Sequence, residues 1–327
     1  VYKRQEQDSL ESYVLTLQAF YRRVAGTASN RAARDYIAGK FTEFGYDSVS
    51  IDPFTGSQLW AREPCQAYNV IAYKPGTVFP NRHIIIGGHF DAVPVCPGAD
   101  DNATGTAAVM ECARVLAETD TRMSIVFVAF DSEESGLWGS YHYVDEALAR
   151  GEDIVLMINA DMIAHYVNSD RADLYTGDEE VYAQVWDQIS NANLGINADL
   201  SGAAASDHWP FQQVGFDVIF VQEKIFSNVY HTPFDSTVYL DFEYMTRMVK
   251  ATAATIFTVD QYPPPIKITS IDEPGDGLSQ LINRQPVDPV AISSLELSYF
   301  ATSTPMNVTT VSLPATVSSY TVEGLVE

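Results

Sequence analysis

The chain has 327 residues, 46% of them hydrophobic, with 43 acidic against 19 basic residues and a formal charge of −24. That length and apolar content suit one large domain, or one domain and a small module, and exclude a disordered chain. So acidic a surface repels nucleic acid and anionic membranes, no run of about 18 apolar residues exists to span a bilayer, and three cysteines are too few for a disulfide framework.

The opening VYKRQEQDSLESY has no apolar stretch of the signal-peptide kind. That leaves a cytosolic chain or one already processed; the acidic surface suits extracellular or periplasmic solvent, so a secreted or periplasmic protein with its leader removed is expected. Apolar residues at helical spacing predict a helix over SLESYVLTLQAFYRRV and another over SNRAARDYIAGKFTEFG, capped by Ser29 or Asn30 and stopped at Gly45. Strands and helices then alternate. YNVIAYKPG, HIIIGGH, MSIVFVAFD, IVLMINADMI and FDVIFVQ read as strands; TGTAAVMECARVLAE, WGSYHYVDEALAR, EEVYAQVWDQISNAN and FEYMTRMVKATAATIFTVDQ read as helices. Apolar strands alternating with helices imply an α/β domain over residues 1–260, with a mostly parallel mixed sheet covered by helices on both faces. Three prolines in YPPPIK end the last helix. Residues 262–327 read as a small all-β sandwich module; SSYTVEGL within it resembles part of a fibronectin type III domain whose last strands are missing. Such a module could serve surface or glycan contact, or act as a spacer. Cys112 falls in a helical pattern as a core thiol, whereas Cys65 and Cys96 flank adjacent strands and could pair in an oxidising compartment or stay free.

In open α/β sheets, ligands bind at the carboxyl ends of strands. Those ends carry His89 and Asp91; Asp131, Glu133 and Glu134; Asp161; and, after the strand FDVIFVQ, His231, while Asp100 and Asp101 start the helix that follows HIIIGGH. Taken singly, each has a plain structural reading. The aspartates of GADDN suit a helix cap, His89 a satisfied interior histidine, and the two glutamates a solvated turn. Asp161 ends a wholly apolar strand and needs a partner. Taken together, so many carboxylates in one crevice would raise one another's pKa unless cations resolve the repulsion. Imidazole with carboxylate suits zinc, with cobalt or manganese as further options. A carboxylate bridging two metals about 3.5–4 Å apart is the arrangement of two-metal hydrolases.

The motifs GGHFDA, PGADDNATGTAAVMECARVLA, FVAFDSEESGLWGS, INADMI and YHTPFDS, in this order and each at a strand end, resemble the zinc-dependent M28 peptidases over roughly residues 10–260. The best-known members of that family are bacterial secreted aminopeptidases. The resemblance implies two zinc ions. His89 and Asp161 would bind one, Glu134 and His231 the other, and Asp101 would bridge both, because the family's bridging aspartate lies four residues before the glycine that is here Gly105. Asp91 would support the His89 ring, Glu133 would act as general base and then acid, and Tyr230 matches a tyrosine that in some members hydrogen-bonds the developing oxyanion. A cis peptide at Asp101–Asn102 is implied as well. Trp138 and Gly139 belong to the family pattern as packing residues.

Several alternatives stay open. His208 in SDHWPF is a rival ligand; His83, His142 and His165 read as structural or surface residues. The leading activity is a dinuclear zinc aminopeptidase that takes peptides with a free N-terminus, with a hydroxide between the metals as nucleophile. A carboxypeptidase or dipeptidase of the same family would need a cation for the substrate carboxylate, for which Arg171 and Lys224 are the candidates. A glutaminyl cyclase would use a single zinc. A non-catalytic binding protein would be expected to lack Glu133. Trp209, Phe211, Phe226 and Tyr230 suggest an apolar pocket for a large first residue, built from loops 163–172 and 201–212. Asn102-Ala103-Thr104 and Asn307-Val308-Thr309 fit the glycosylation pattern; the first falls beside the metal ligands and is expected to stay unmodified.

Overall fold

A computed structural model of the chain describes residues 6–59, 62–166, 169–177, 180–202, 206–261, 268–272, 279–284, 294–299, 309–314 and 316–323. Contacts divide the chain into Val1–Gln261 and Tyr262–Glu327.

The first unit opens with helix α1, Gln7–Ala19. It stops before the predicted Val24 because Tyr21 and Arg22 take left-handed backbone angles, with φ of 45° and 49°. The turn sends the Arg23 guanidinium into the interior, where it donates to the carbonyl oxygens of Leu17, Phe90, Pro97 and Gly98. Helix α2, Ala28–Glu43, is capped by Thr27, whose hydroxyl accepts the Asn30 N–H. Ser29 and Asn30 therefore lie inside the first turn rather than capping it. Asn30 is needed elsewhere: its buried amide donates to the Asp131 carboxylate.

Eight strands follow: β1 (Ser48–Ser57), β2 (Pro64–Lys74), β3 (Phe79–His89), β4 (Met123–Phe130), β5 (Asp153–Ala160), β6 (Arg171–Thr176), β7 (Asn197–Ser201) and β8 (Val218–Glu223). They form one sheet in the order β1-β2-β4-β3-β5-β8-β6-β7. The centre, β4-β3-β5-β8, is parallel throughout, with antiparallel pairings at β1–β2, β2–β4 and β8–β6. Every residue of β4 is buried, so it reads as an unbroken apolar run, as strands covered on both faces do. Alternation assigns the faces. Ile84 and Ile86 join one core cluster with residues of α1, α2, α3 (Gly105–Leu116), α5 (Val181–Leu194) and α7 (Phe242–Gln261). Ile85 joins the other with residues of α4 (Trp138–Arg150) and α6 (Trp209–Gln213). The mixed sheet flanked by helices matches the expected fold class.

In the second unit, β9 (Ile268–Asp272), β10 (Ser279–Arg284) and β13 (Ser319–Glu323) form a three-stranded antiparallel sheet, and β11 (Ser294–Tyr299) pairs antiparallel with β12 (Thr309–Pro314). The Asn307 glycosylation pattern begins outside the described residues. Among the described residues, no helix is long and apolar enough to cross a membrane.

Candidate metal centre

The parallel register brings the site together. His89 at the end of β3 stands opposite Phe130 of β4, and Gly87 stands opposite Asn159 of β5. The residues that leave these strands, His89 to Asp91, Asp131 to Glu134 and Asp161, therefore emerge along one edge of the sheet. α3 closes in from above, where Gly105 leaves no room for a side chain. A Cβ there would collide with the Ala160 carbonyl oxygen and the Asn102 amide. Asn102 fastens the same junction: its amide donates to the Ala160 carbonyl at 2.9 Å, and its oxygen accepts the Gly105 N–H at 2.8 Å. The Asp101–Asn102 peptide is cis, as the family resemblance implied. Asn102 is thus a buried structural amide, which accounts for its expected lack of glycan.

The Asp101 carboxylate lies between two imidazoles. Oδ1 is 3.3 Å from His89 Nε2 and Oδ2 is 3.0 Å from His231 Nε2. His231 Nε2 is also 3.0 Å from Glu134 Oε2. On the other side, His89 Nε2 is 3.5 Å from Asp161 Oδ1 and 3.9 Å from Glu133 Oε2. Candidate ligand atoms of His89, Asp101 and Glu134 fall within 4.8 Å of one another, as do those of His89, Glu133 and Asp161. His89, Asp101 and Asp161 are buried. Asp101 Oδ2, Asp161 Oδ1 and His231 Nε2 are buried atoms at contact distance from these neighbours but without a hydrogen bond. Five oxygen and nitrogen donors converge with lone pairs left over, and that donor set fits divalent zinc.

Surrounding groups hold the donors. The Asp91 carboxylate accepts the N–H groups of Glu133 and Glu134 at 3.1 and 3.3 Å. Its contact with His89 Nδ1, at 3.4 Å, is longer, and Nδ1 also lies 3.3 Å from the Asp91 carbonyl oxygen. Asp91 therefore sets the direction of the two glutamates as much as that of the histidine. Glu134 Oε1 accepts the Val93 N–H, which turns its other oxygen toward His231. Ser206 donates to Asp161 Oδ2 at 2.7 Å and is itself held by the Asn159 amide.

The electrostatics follow from burial. Burial pushes the Asp101 carboxyl up, but His231 and His89 outweigh it and hold it at about 2. Burial works against protonating His231, and Asp101 and Glu134 overturn that, raising it to about 10. His89 rises in the same way, burial being outweighed first by Glu133 and Asp161. Glu133 stands well above the usual carboxylate range, first through burial, with Asp207 and Asp161 adding to it. Burial, then the Asp101 charge, lifts Glu134 to about 8. Tyr230 is raised too, by burial and then the Asp101 and Glu134 charges, so its hydroxyl stays a donor. Its ring stacks on His231 with centroids 3.7 Å apart.

Other candidates lie elsewhere. His208 is buried and stacked on Phe220, outside both ligand groups. His83 contacts Glu152, His142 contacts Asp52, and His165 contacts the Ile225 carbonyl. Arg171 pairs with Asp199, and Lys224 with Asp173 and Asp199. Phe211 is fully buried against Phe130 and Tyr143, because α6 packs that face onto the sheet. Trp209 borders a separate small cleft with Gln212 and Phe216. Cys65, Cys96 and Cys112 are all free thiols. Asp100 caps nothing with its side chain; it is buried beside Glu223, and burial raises its carboxyl. Sequence reasoning gave no role to Asp131, Ser206, Asp207 or Asp235, all of them buried. The last three stand within SDHWPF and YHTPFDS, so the signal was a polar residue at fixed offset from a candidate histidine.

The family model for peptidase family M28 matches residues 69–256, and the chain belongs to that family. Aminopeptidase YwaD of Bacillus subtilis is 32% identical over 203 residues, which is 58% of this chain and 44% of that protein. The chain spans 44% to 65% of the length of the first three curated relatives it matches. An aminopeptidase from Aneurinibacillus sp. strain AM-1 superimposes with a TM-score of 0.70 at 18% identity, over 79% of this chain and 95% of that one. A glutaminyl cyclase of Bacteroides thetaiotaomicron superimposes with a TM-score of 0.66 at 19% identity, over 77% and 97%. One fold therefore carries both chemistries, and the choice between them rests on the site.

Proposed function

We propose that this chain is a dinuclear zinc aminopeptidase that releases N-terminal residues from peptides. The observation that carries the reading is the Asp101 carboxylate, one oxygen on each of two imidazoles. His89 and Asp161 would hold one zinc, Glu134 and His231 the other, and Asp101 both. Zinc bound there would acidify a water and polarise the substrate carbonyl. Glu133 lies within ligand distance of His89 and Asp161, but at 3.9 Å it is the farthest from His89 Nε2 of the carboxylates gathered there, and this reading leaves it off the metal as the base. Its raised proton affinity suits a group that takes a proton from water and returns it to the leaving amine. Asp91 fixes the peptide N–H groups of Glu133 and Glu134, which keeps base and ligand pointing apart. Tyr230 supplies a neutral hydroxyl at the rim for the developing oxyanion.

The acidic lining suits a substrate ammonium group. Arg171 and Lys224, the cations that a carboxypeptidase reading would use, are already paired with aspartates. Phe226 and Tyr230, 51% and 38% exposed with centroids 4.8 Å apart, offer an apolar ledge for a large first side chain. Catalysis falls to residues 1–260; the module of residues 262–327 contributes none of these side chains and is free for surface or glycan contact. The acidic surface suits a secreted or periplasmic setting. The test is Glu133→Gln. It should keep its zinc yet cut hydrolysis of an aminoacyl chromogenic amide by about 10²–10⁴-fold, and the parent should ignore the amino-blocked substrate. Near-normal turnover of the variant, or equal hydrolysis of the blocked substrate, would contradict the proposal.

A further inference from the structure

Four residues after His231, Asp235 is 1% exposed and makes no contact with solvent that would explain its charge. Its carboxylate is spent on backbone. Oδ1 accepts the Asp100 N–H at 2.8 Å and Oδ2 accepts the Asp101 N–H at 3.2 Å, while its carbonyl oxygen accepts the Ala99 N–H at 3.4 Å. Three consecutive N–H groups of the turn that presents Asp101 thus end on one residue. The same residue is tied into the His231 turn, donating its own N–H to the Thr232 carbonyl at 3.2 Å. On the preceding stretch of the loop, Arg23 donates to the Pro97 and Gly98 carbonyls at 2.6 and 2.8 Å. The loop is held by its carbonyls on one side and by its N–H groups on the other.

We infer that Asp235 is a positioning residue that locks the Asp101 turn to the His231 turn, so that the carboxylate and the imidazole meeting at 3.0 Å keep their spacing before any metal arrives. Zinc bonds to nitrogen and oxygen are about 2.0–2.2 Å long and tolerate little drift of their donors. Only a carboxylate can accept two adjacent N–H groups with two oxygens. Asparagine would set its own N–H₂ against one of them, and alanine would leave both donors buried and unmet.

This inference rests on the zinc reading, and the experiment separates the two. Chelator-treated parent chain, D235N and D235A are titrated with zinc against a chromophoric competitor, and each is loaded with cobalt(II) for its visible spectrum. Zinc affinity should fall about 10–100-fold in D235N, the range for groups that orient metal ligands, and further in D235A. The cobalt bands should shift, and the metal-free chains should stay folded by circular dichroism. Affinity within twofold of the parent together with an unchanged cobalt spectrum would overturn it. So would unfolding of both metal-free variants, which would make Asp235 a determinant of the fold instead. A parent that binds no zinc removes the metal reading itself; a zinc-binding parent matched by D235N removes only the positioning role.

Discussion

At the scale of single residues, the candidate site gathers carboxylates around two imidazoles, whose positive charge relieves part of the carboxylates' repulsion in the metal-free chain. His231, lifted to about 10 by Asp101 and Glu134 against the opposing effect of burial, is protonated at neutral pH in the metal-free chain. His89 is raised likewise. Zinc takes neutral imidazole and ionised carboxylate, so binding at pH 7 should release protons from His89 and His231 and from Glu134, itself lifted to about 8, roughly three per chain. Zinc affinity should therefore climb as pH rises toward 10. Titration calorimetry in buffers of different ionisation heat reads the proton count directly, and a count of zero would contradict the arrangement. The sign for stability is the reverse. A histidine raised above its unfolded value contributes stability in full below about 6.5, and loses it as pH rises toward about 10. The metal-free chain should thus weaken over that window while the zinc-loaded chain does not.

At the scale of elements, the site depends on how closely α3 approaches the end of β5. Gly105 has ordinary helical angles, φ −66° and ψ −43°, so alanine would suffer no backbone penalty there. Its added carbon would meet the Ala160 carbonyl oxygen, which is main chain and cannot swing aside. Gly105→Ala should cost about 1–3 kcal/mol of stability, measured as a lower urea midpoint with unchanged slope. An unaltered midpoint would mean that the helix can lift off at no cost. What was legible in the sequence follows the same physics. The central strands and long helices declared themselves, because a strand buried on both faces must be apolar throughout, as β4 is. The outer strands β1, β6 and β7 did not: β1 and β7 are mostly exposed or half-buried, β6 buries only every second residue, and between them they carry Asp52, Pro53, Gly56, Asp173, Asn197 and Asp199. The cap of α2 was misplaced for a local reason, since Thr27, Ser29 and Asn30 are all good caps; Thr27 takes the role, while the Asn30 amide is committed to Asp131 and the Arg23 carbonyl.

At the scale of the whole molecule, the proposed ligands were readable because they sit at strand ends whose order the alternating pattern defines. Apart from Asp91, their supports were not. Asp235 acts on the N–H groups of Asp100 and Asp101 and Ser206 on Asp161, contacts that span 135, 134 and 45 positions of chain and leave no local pattern. Phe211 misled for the complementary reason: an aromatic residue beside a motif reads equally as pocket or core, and the sheet claimed it for the core. The formal charge of −24 belongs to this scale too, since it draws cations toward a crevice already lined with carboxylates. The central claim is that Asp101 stands between two metal positions rather than beside one. Zinc content of the chelated and reloaded chain, measured by atomic emission against protein concentration, tests it most directly. The account predicts two zinc ions per chain, and one or none would contradict it.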